Sequence, residues 1–266
     1  MHHHIRAIVN DTHLYGLIGY PLSHSFSQKY FTEKFAKEGR DGYSYRMFPI
    51  RNIGDLRNLP EQYPDLQGFN VTIPYKEQII PYLDEMDTVA EKTGAVNTVQ
   101  VIRRVRDICL KGYNTDVYGF SRSLKEWFTA LDADLPRQAL ALGTGGASKA
   151  VVYALRCLNI TVHLVSRKEG ENIYKTYDQL NAADMAAHPL IINTTPVGMF
   201  PNTEACPAIP YMYVTDKHYL YDLVYNPEET LLMRKGREMG AVVHNGERML
   251  HLQADKALEI WSKFTP

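Results

Sequence analysis

The chain has 266 residues, of which 45% are apolar and 22% charged, and its formal net charge is −1. That length holds one large or two modest domains, and the composition excludes a disordered chain. The near-zero charge excludes an overall basic field that would recruit nucleic acid or acidic lipid. No run approaches the roughly 20 apolar residues of a membrane span, so no membrane partner is expected. Residues 1–12 open with Met1-His2-His3-His4 and carry no signal-peptide pattern. Three consecutive histidines could bind metal weakly, but they read as a tag remnant or an untidy leader, and no metal site is expected. Cys109, Cys157 and Cys206 lie about fifty residues apart. That spacing makes neither a zinc ligand pair nor a disulfide framework, so reduced thiols in a cytoplasmic protein are expected.

In chain order, strand-type runs alternate with helical ones, which predicts an α/β fold with largely parallel sheets. The first half reads as a strand at 15–19, a helix at 27–37, a strand at 43–49 and a short helix near 53–58. A strand at 68–73 follows, then a helix after Tyr75 that Pro81 interrupts. Residues 95–103 and 107–111 read as a hairpin with charged residues at its turn. Near Asn114 the texture changes. A helix at 117–131 leads through Asp132-Ala133-Asp134-Leu135-Pro136 into an apolar strand at 139–142. That strand opens a βαβ unit, continued by Gly143-Thr144-Gly145-Gly146, a helix at 148–158 and a strand at 160–165. Buried-type strands at 190–193 and 219–224 and an amphipathic helix near 249–264 complete the chain. The expected division is a first domain at 13–115, a nucleotide-binding domain at 116–243 and a closing segment at 244–266.

Gly143-Thr144-Gly145-Gly146-Ala147-Ser148 follows a strand and opens a helix, the context that a dinucleotide fingerprint requires. Its glycines permit a tight turn and close approach of backbone to a pyrophosphate, and the helix N-terminus offers free N–H groups. Ser148 stands where a third Gly or Ala is usual. At the end of the second strand comes Ser166-Arg167-Lys168, beginning 23 residues after Gly143. NAD-binding folds put an acid on the ribose about 20 residues on; here a guanidinium stands instead, a planar fork suited to a 2′-phosphate. NADP is therefore expected over NAD. Glu169 reads as a solvated residue at a helix start.

Three polar clusters of the first half fall at strand ends, where open α/β sheets bind ligands. They are Gly19-Tyr20-Pro21-Leu22-Ser23-His24-Ser25-Phe26-Ser27, Asn70-Val71-Thr72-Ile73-Pro74-Tyr75-Lys76-Glu77, and Gly94-Ala95-Val96-Asn97-Thr98 with the later Asn114-Thr115-Asp116. Ser25 and Ser27 could cap a helix or bind an anion at its start. Lys76 alone reads as an ordinary helix-start lysine, and Asp116 fits an N-cap of the helix at 117–131 equally well. His24 is a rival acid–base residue, although turn histidines more often bond backbone.

Together these clusters resemble the shikimate dehydrogenase family. His-Ser-x-Ser stands at His24–Ser27, Asn-Val-Thr-x-Pro-x-Lys at Asn70–Lys76, Gly-Ala-Val-Asn-Thr at Gly94–Thr98, and Asn-Thr-Asp at Asn114–Asp116. The glycine loop, Asn193-Thr194-Thr195-Pro196 with Gly198-Met199, Tyr221-Asp222-Leu223-Val224-Tyr225, and Gly246 with Met249-Leu250 and Gln253-Ala254 continue the match in order. The resemblance implies two domains: an N-terminal α/β substrate domain and a Rossmann-like NADP-binding domain. The last helix would return to the first domain, and the substrate would lie in a cleft between the two. By the same resemblance Ser25, Ser27 and Tyr225 hold a substrate carboxylate. Thr72, Asn97, Asp116 and Gln253 hold ring hydroxyls, and Lys76 with Asp116 forms the catalytic pair. Gly143, Thr144, Gly145, Gly146, Ala147, Ser166, Arg167, Lys168, Leu223 and Gly246 line the cofactor. Two departures stand out. The usual Asn-Arg-Thr clamp reads Ser166-Arg167-Lys168, and Glu247-Arg248 replaces a small or apolar pair before Met249.

The implied reaction is reduction of the ring ketone of 3-dehydroshikimate by NADPH, which needs a held carbonyl and a proton donor for the new alkoxide. Two alternatives remain: a quinate/shikimate dehydrogenase with relaxed substrate or cofactor choice, and a non-catalytic small-molecule sensor of the same fold. Monomer and homodimer both stay open.

Overall fold

The structure is a computed structural model and describes residues 13–22 and 26–263. The turn at 23–25, with His24 and Ser25, lies outside the described residues, as do His2–His4.

Two compact units are present: one formed by the chain up to Ala90, Val96–Tyr113 and the residues from Glu259 on, the other by Glu91–Ala95 and Asn114–Leu258. In chain order the first half of the sequence forms β1 His13–Gly19, α1 Phe26–Lys37, β2 Tyr43–Pro49, α2 Leu59–Gln62, β3 Leu66–Val71, α3 Tyr75–Gln78, β4 Glu85–Met86, α4 Thr88–Thr93, β5 Thr98–Arg103 and β6 Ile108–Tyr113. The sheet runs β2-β1-β3-β5-β6-β4. Three of its five strand pairs are parallel, as expected, and β5 alone runs antiparallel, to both β3 and β6. A parallel pair needs a long crossover, and the tight turn at Arg104–Asp107 leaves no length for one.

The strand expected at 68–73 ends at Val71 instead. Thr72 and Ile73 therefore leave the ladder, and Pro74 follows across a cis peptide bond. The helix after Tyr75 is a single turn. At the other end of the chain Trp261 fills the sheet face of the first unit. Its indole Nε1–H donates to Val99 O at 2.9 Å, and its ring stacks on Tyr15 with centroids 4.8 Å apart. Glycine at position 68 makes this possible, because a Cβ there would lie 2.2 Å from the indole nitrogen.

The second unit contains α5 Thr115–Ala130, β7 Gln138–Leu142, α6 Gly146–Cys157, β8 Thr161–Ser166, β9 Lys175–Thr176, α7 Ala182–Ala187, β10 Leu190–Asn193, β11 Tyr219–Asp222, α8 Leu231–Glu238, β12 Val242–His244 and, up to Leu258, α9 Glu247–Ser262, whose last turn belongs to the first unit. Its sheet runs β12-β11-β10-β7-β8-β9, with every pair parallel. Residues 139–142 and 190–192 are fully buried, as expected for parallel strands covered on both faces. Counted from β7, the order is that of the doubly wound dinucleotide folds, and the strand order reverses between β7 and β10. Three of these elements, β9, α7 and β12, are too short to show a hydrophobic period in the sequence. Among the described residues, no helix is long and apolar enough to cross a membrane.

Candidate functional site

In the first unit, backbone bonds draw the substrate motifs together. Tyr20 N–H donates to Ile73 O at 3.3 Å, Val71 N–H to Asn97 O at 2.8 Å, and Val96 N–H to Lys76 O at 2.7 Å. Thr72 packs where β1 ends, its Cγ2 lying 2.5 Å from the place of a Cβ on Gly19. Thr72 and Lys76 are both half-buried, and Asn97 is buried. Ser27 lies in the first turn of α1.

A chain of polar groups, joined by a tyrosine that no sequence motif announces, links these residues. Tyr45, on β2, donates its hydroxyl to Asn70 Oδ1 at 2.8 Å and also shares a hydrogen bond with Ser27. Asn70 Nδ2 donates in turn to Thr98 Oγ1 at 3.1 Å, and Thr98 Oγ1–H to Asn97 Oδ1 at 3.2 Å. Burial of Tyr45 pushes its phenol pKa far up, so it stays a neutral donor. Ser27 and Asn97, distant in sequence, thus hang on one network. Asn70 was visible as a motif residue, but Tyr45 carried no signal, because tyrosine is common in strands.

In the second unit, α5 and α9 cross closely at Gly119, where a Cβ would lie 2.7 Å from Met249 O and 3.0 Å from Gln253 Cβ. The crossing brings Thr115 Oγ1 to 3.4 Å from Gln253 Oε1, one residue from Asp116. Asp116 does not cap α5. Asn114 does, its Oδ1 accepting from Val117 N–H at 3.3 Å, because Asn114 alone has the extended backbone of an N-cap. Asp116 sits inside the first turn, 6% exposed.

Arg248, one of the two departures from the family pattern, turns to α5. It donates to Glu126 through Nε at 2.7 Å and Nη2 at 3.2 Å, and Arg122 Nε donates to the same carboxylate at 2.8 Å. These two guanidiniums hold the Glu126 carboxyl down at about 2. Arg248→Ala should therefore cost little, below about 1 kcal/mol, since the pair is half-exposed and screened. The folded carboxyl lies below the ordinary 4.5, so the difference between variant and wild type should persist above that pH and fade as pH drops toward 2. Denaturant titrations at several pH values read this directly.

Past β7, Gly143 has φ +107°, a conformation that favours glycine, and a Cβ there would lie 2.7 Å from Thr195 Cγ2. Packing requires this glycine. It does not require Gly145, where a Cβ would meet nothing within 4 Å. Glycine at 145 leaves room for a group from outside the chain. Gly145 is also the N-cap of α6 without a capping side chain, and the first turn carries no acid, so its N–H groups suit an anion. Ser148 explains its own departure from the fingerprint: buried, it donates its hydroxyl to Gly143 O at 2.8 Å and so braces the loop.

Thr144, Ser166, Arg167, Lys168 and Glu169 line a single cavity of about 570 Å³. Arg167 and Lys168 are exposed there, a pair of cations beside the glycine loop. Glu169 starts no helix. Its carboxylate accepts from Gln179 Nε2 at 2.8 Å, and Gln179 is oriented by Thr176 N–H donating to its Oε1 at 2.9 Å. The residues present therefore fit a phosphorylated dinucleotide, with free N–H groups at the start of α6 and a cationic clamp on the cavity beyond β7 and β8.

Leu223 and Gly246 also meet. A Cβ on Gly246 would lie 2.0 Å from Leu223 O, so only glycine admits that carbonyl. Under this contact is a second network that the sequence did not lead one to expect. Asp222 Oδ1 accepts from Asn193 Nδ2 at 2.9 Å and from Val224 N–H at 3.0 Å, and its Oδ2 from the Thr230 hydroxyl at 2.6 Å. Asn193 Oδ1 accepts from Thr195 N–H at 3.0 Å and from the Thr195 hydroxyl at 2.6 Å. Tyr225 follows this network half-buried, and burial raises its phenol pKa.

Comparison with known proteins agrees with this geometry. The family model described as the shikimate dehydrogenase substrate binding domain matches residues 17–99. The shikimate dehydrogenase (NADP(+)) of Methanosphaera stadtmanae is 35% identical over 97% of this chain and 94% of its own length. Among solved structures, shikimate 5-dehydrogenase of Thermus thermophilus in complex with NADP(H) and shikimate is 28% identical. It has a TM-score of 0.80 and covers 96% of this chain and 95% of its own. The quinate dehydrogenase of Corynebacterium glutamicum in complex with NAD gives 28% identity, a TM-score of 0.81 and the same coverage.

Proposed function

The chain belongs to the shikimate dehydrogenase family, and on that premise we propose how its residues divide the work. It is an NADP-dependent oxidoreductase that reduces 3-dehydroshikimate to shikimate, a step toward chorismate and the aromatic amino acids. The reduced nicotinamide, when bound, supplies the hydride. Gly143 to Ala147 hold the pyrophosphate, and Ser166, Arg167 and Lys168 the adenosine 2′-phosphate. Leu223 and Gly246 line the nicotinamide end. Ser25, Ser27 and Tyr225 hold the substrate carboxylate, while Thr72, Asn97, Asp116 and Gln253 hold ring hydroxyls. Lys76 protonates the alkoxide as it forms, with Asp116 as its carboxylate partner. The observation that carries this reading is the cavity that Thr144 of the glycine loop shares with Arg167 beyond the ends of β7 and β8.

The likeness to a quinate dehydrogenase with NAD supports a second reading, in which quinate and NAD are also accepted. Arg167 and the absence of an acid at that strand end argue against it. The sensor alternative predicts loss of a proton-transfer residue, and Lys76 and Asp116 are both present. We place the enzyme in the cytoplasm, as a monomer or homodimer acting on small molecules without a nucleic-acid partner. The three unpaired cysteines and the net charge of −1 support that placement.

The test is oxidation of NADPH with 3-dehydroshikimate, followed by the reverse reaction on shikimate and quinate with NADP and NAD. Turnover with NADPH and 3-dehydroshikimate, and shikimate with NADP as the preferred reverse pair, are expected. Equal use of quinate or NAD would establish the second reading, and no turnover with any pair the sensor.

A further inference from the structure

Asp222 is fully buried at the end of β11, and its three partners are an amide, a backbone N–H and a hydroxyl, none of them a cation. A charge buried on neutral donors is held at a cost, and its carboxyl pKa is pushed up to about 6 by the loss of water. An amide of the same size would keep the Oδ1 acceptor without burying a charge, whereas an apolar side chain would strand the three donors. What the carboxylate does achieve is a junction. Through Asn193 it is tied to the end of β10 and the turn at Thr194–Thr195, through Val224 N–H to the segment 223–225, and through Thr230 to the start of α8. Leu223 N–H donates to Asn193 O at 3.0 Å, closing the ring of contacts.

We propose that Asp222 is a positioning residue for the reaction, setting Leu223 and Tyr225 as one unit against the Thr194–Thr195 turn. The proposal rests on the reading above, in which Leu223 serves the nicotinamide end and Tyr225 the substrate carboxylate. In this role Asp222 touches neither ligand. It fixes the backbone that presents both, which is why one buried group affects two ligands at once.

The experiment is steady-state kinetics of Asp222→Asn, Asp222→Ala, Thr230→Val and Tyr225→Phe with NADPH and 3-dehydroshikimate. Binding of adenosine 2′,5′-bisphosphate, the adenosine-phosphate half of the cofactor, is measured beside it. Asp222→Ala should raise the Michaelis constants for NADPH and for the ketone substrate about tenfold each and lower kcat. Asp222→Asn keeps the Oδ1 acceptor and should recover most of the loss. Affinity for the bisphosphate should change least, because its 2′-phosphate is held by the Arg167 clamp at the end of β8, and the glycine loop meets this junction only where Gly143 packs on Thr194 and Thr195. Thr230→Val removes the Oδ2 partner together with the cap that Thr230 Oγ1 gives Met233 N–H at the start of α8, and leaves both Oδ1 bonds in place. It should give the same pattern more weakly, and it remains informative if Asp222→Ala fails to fold. Unchanged Michaelis constants in the Asp222 and Thr230 variants overturn the proposal. A parallel loss of bisphosphate affinity also overturns it, since that marks general loosening of the unit. If Tyr225→Phe leaves the Michaelis constant for the ketone substrate unchanged, the reading of Tyr225 is what fails, and the constant for NADPH then decides on Asp222 alone.

Discussion

Replacing Lys76 with Ala is expected to cut turnover by roughly 10²–10⁴-fold, the usual worth of a positioned acid–base group. Hydride transfer leaves negative charge on the former carbonyl oxygen. An ammonium in hydrogen-bond reach stabilises that charge and then gives up the proton. The expectation starts from where the fold holds Lys76. Its backbone carbonyl accepts from Val96 N–H at 2.7 Å, and the single turn of α3 leaves the side chain half-buried. The Michaelis constant for the ketone substrate should change less than kcat. Asp116→Asn should lower turnover as well, and the double variant should be little worse than either single one if the two act as a unit. Multiplying losses would assign them separate binding roles. Near-normal turnover with only a raised Michaelis constant would make Lys76 a binding residue and pass proton donation to water or another group.

Arg167→Ala should weaken NADP binding roughly tenfold to a hundredfold, the equivalent of one charge-assisted hydrogen bond of about 1.5–3 kcal/mol. NAD binding should stay nearly unchanged, since NAD lacks the phosphate that the guanidinium would hold. The structure adds two reasons for this size of effect. Arg167 is exposed on its cavity, so water screens it, and Lys168 on the same wall retains a second cation. Glu169 lines the same cavity and opposes a phosphate there, and its bond with Gln179 engages one carboxylate oxygen, so Arg167 and Lys168 carry the preference for NADP. Titration of both cofactors against wild type and variant is the check. Equal loss for NADP and NAD would mean that Arg167 supports the fold and reads no phosphate.

Local chemistry was legible in the sequence alone. The glycine loop between a strand and a helix, the arginine where an acid is usual, and the order of the polar motifs all lie in contiguous residues, and contiguous residues carry their own turn and period signals. The buried parallel strands were legible for the same reason, being short apolar runs. Tertiary structure alone decided what depends on distant residues. Asn114 takes the cap of α5 from Asp116 because backbone conformation, not residue type, selects the capping position. Glycine at 68, 119 and 246 marks three close approaches, to Trp261, to Met249 and Gln253, and to Leu223, whose partners no local pattern names. Arg248 stood out only as a departure from the family pattern before Met249, yet its partner is Glu126, 122 residues away in sequence. The networks around Tyr45 and Asp222 were invisible for the same physical reason. A buried polar side chain is defined by the donors and acceptors that folding brings to it, and those come from strands far apart in the chain.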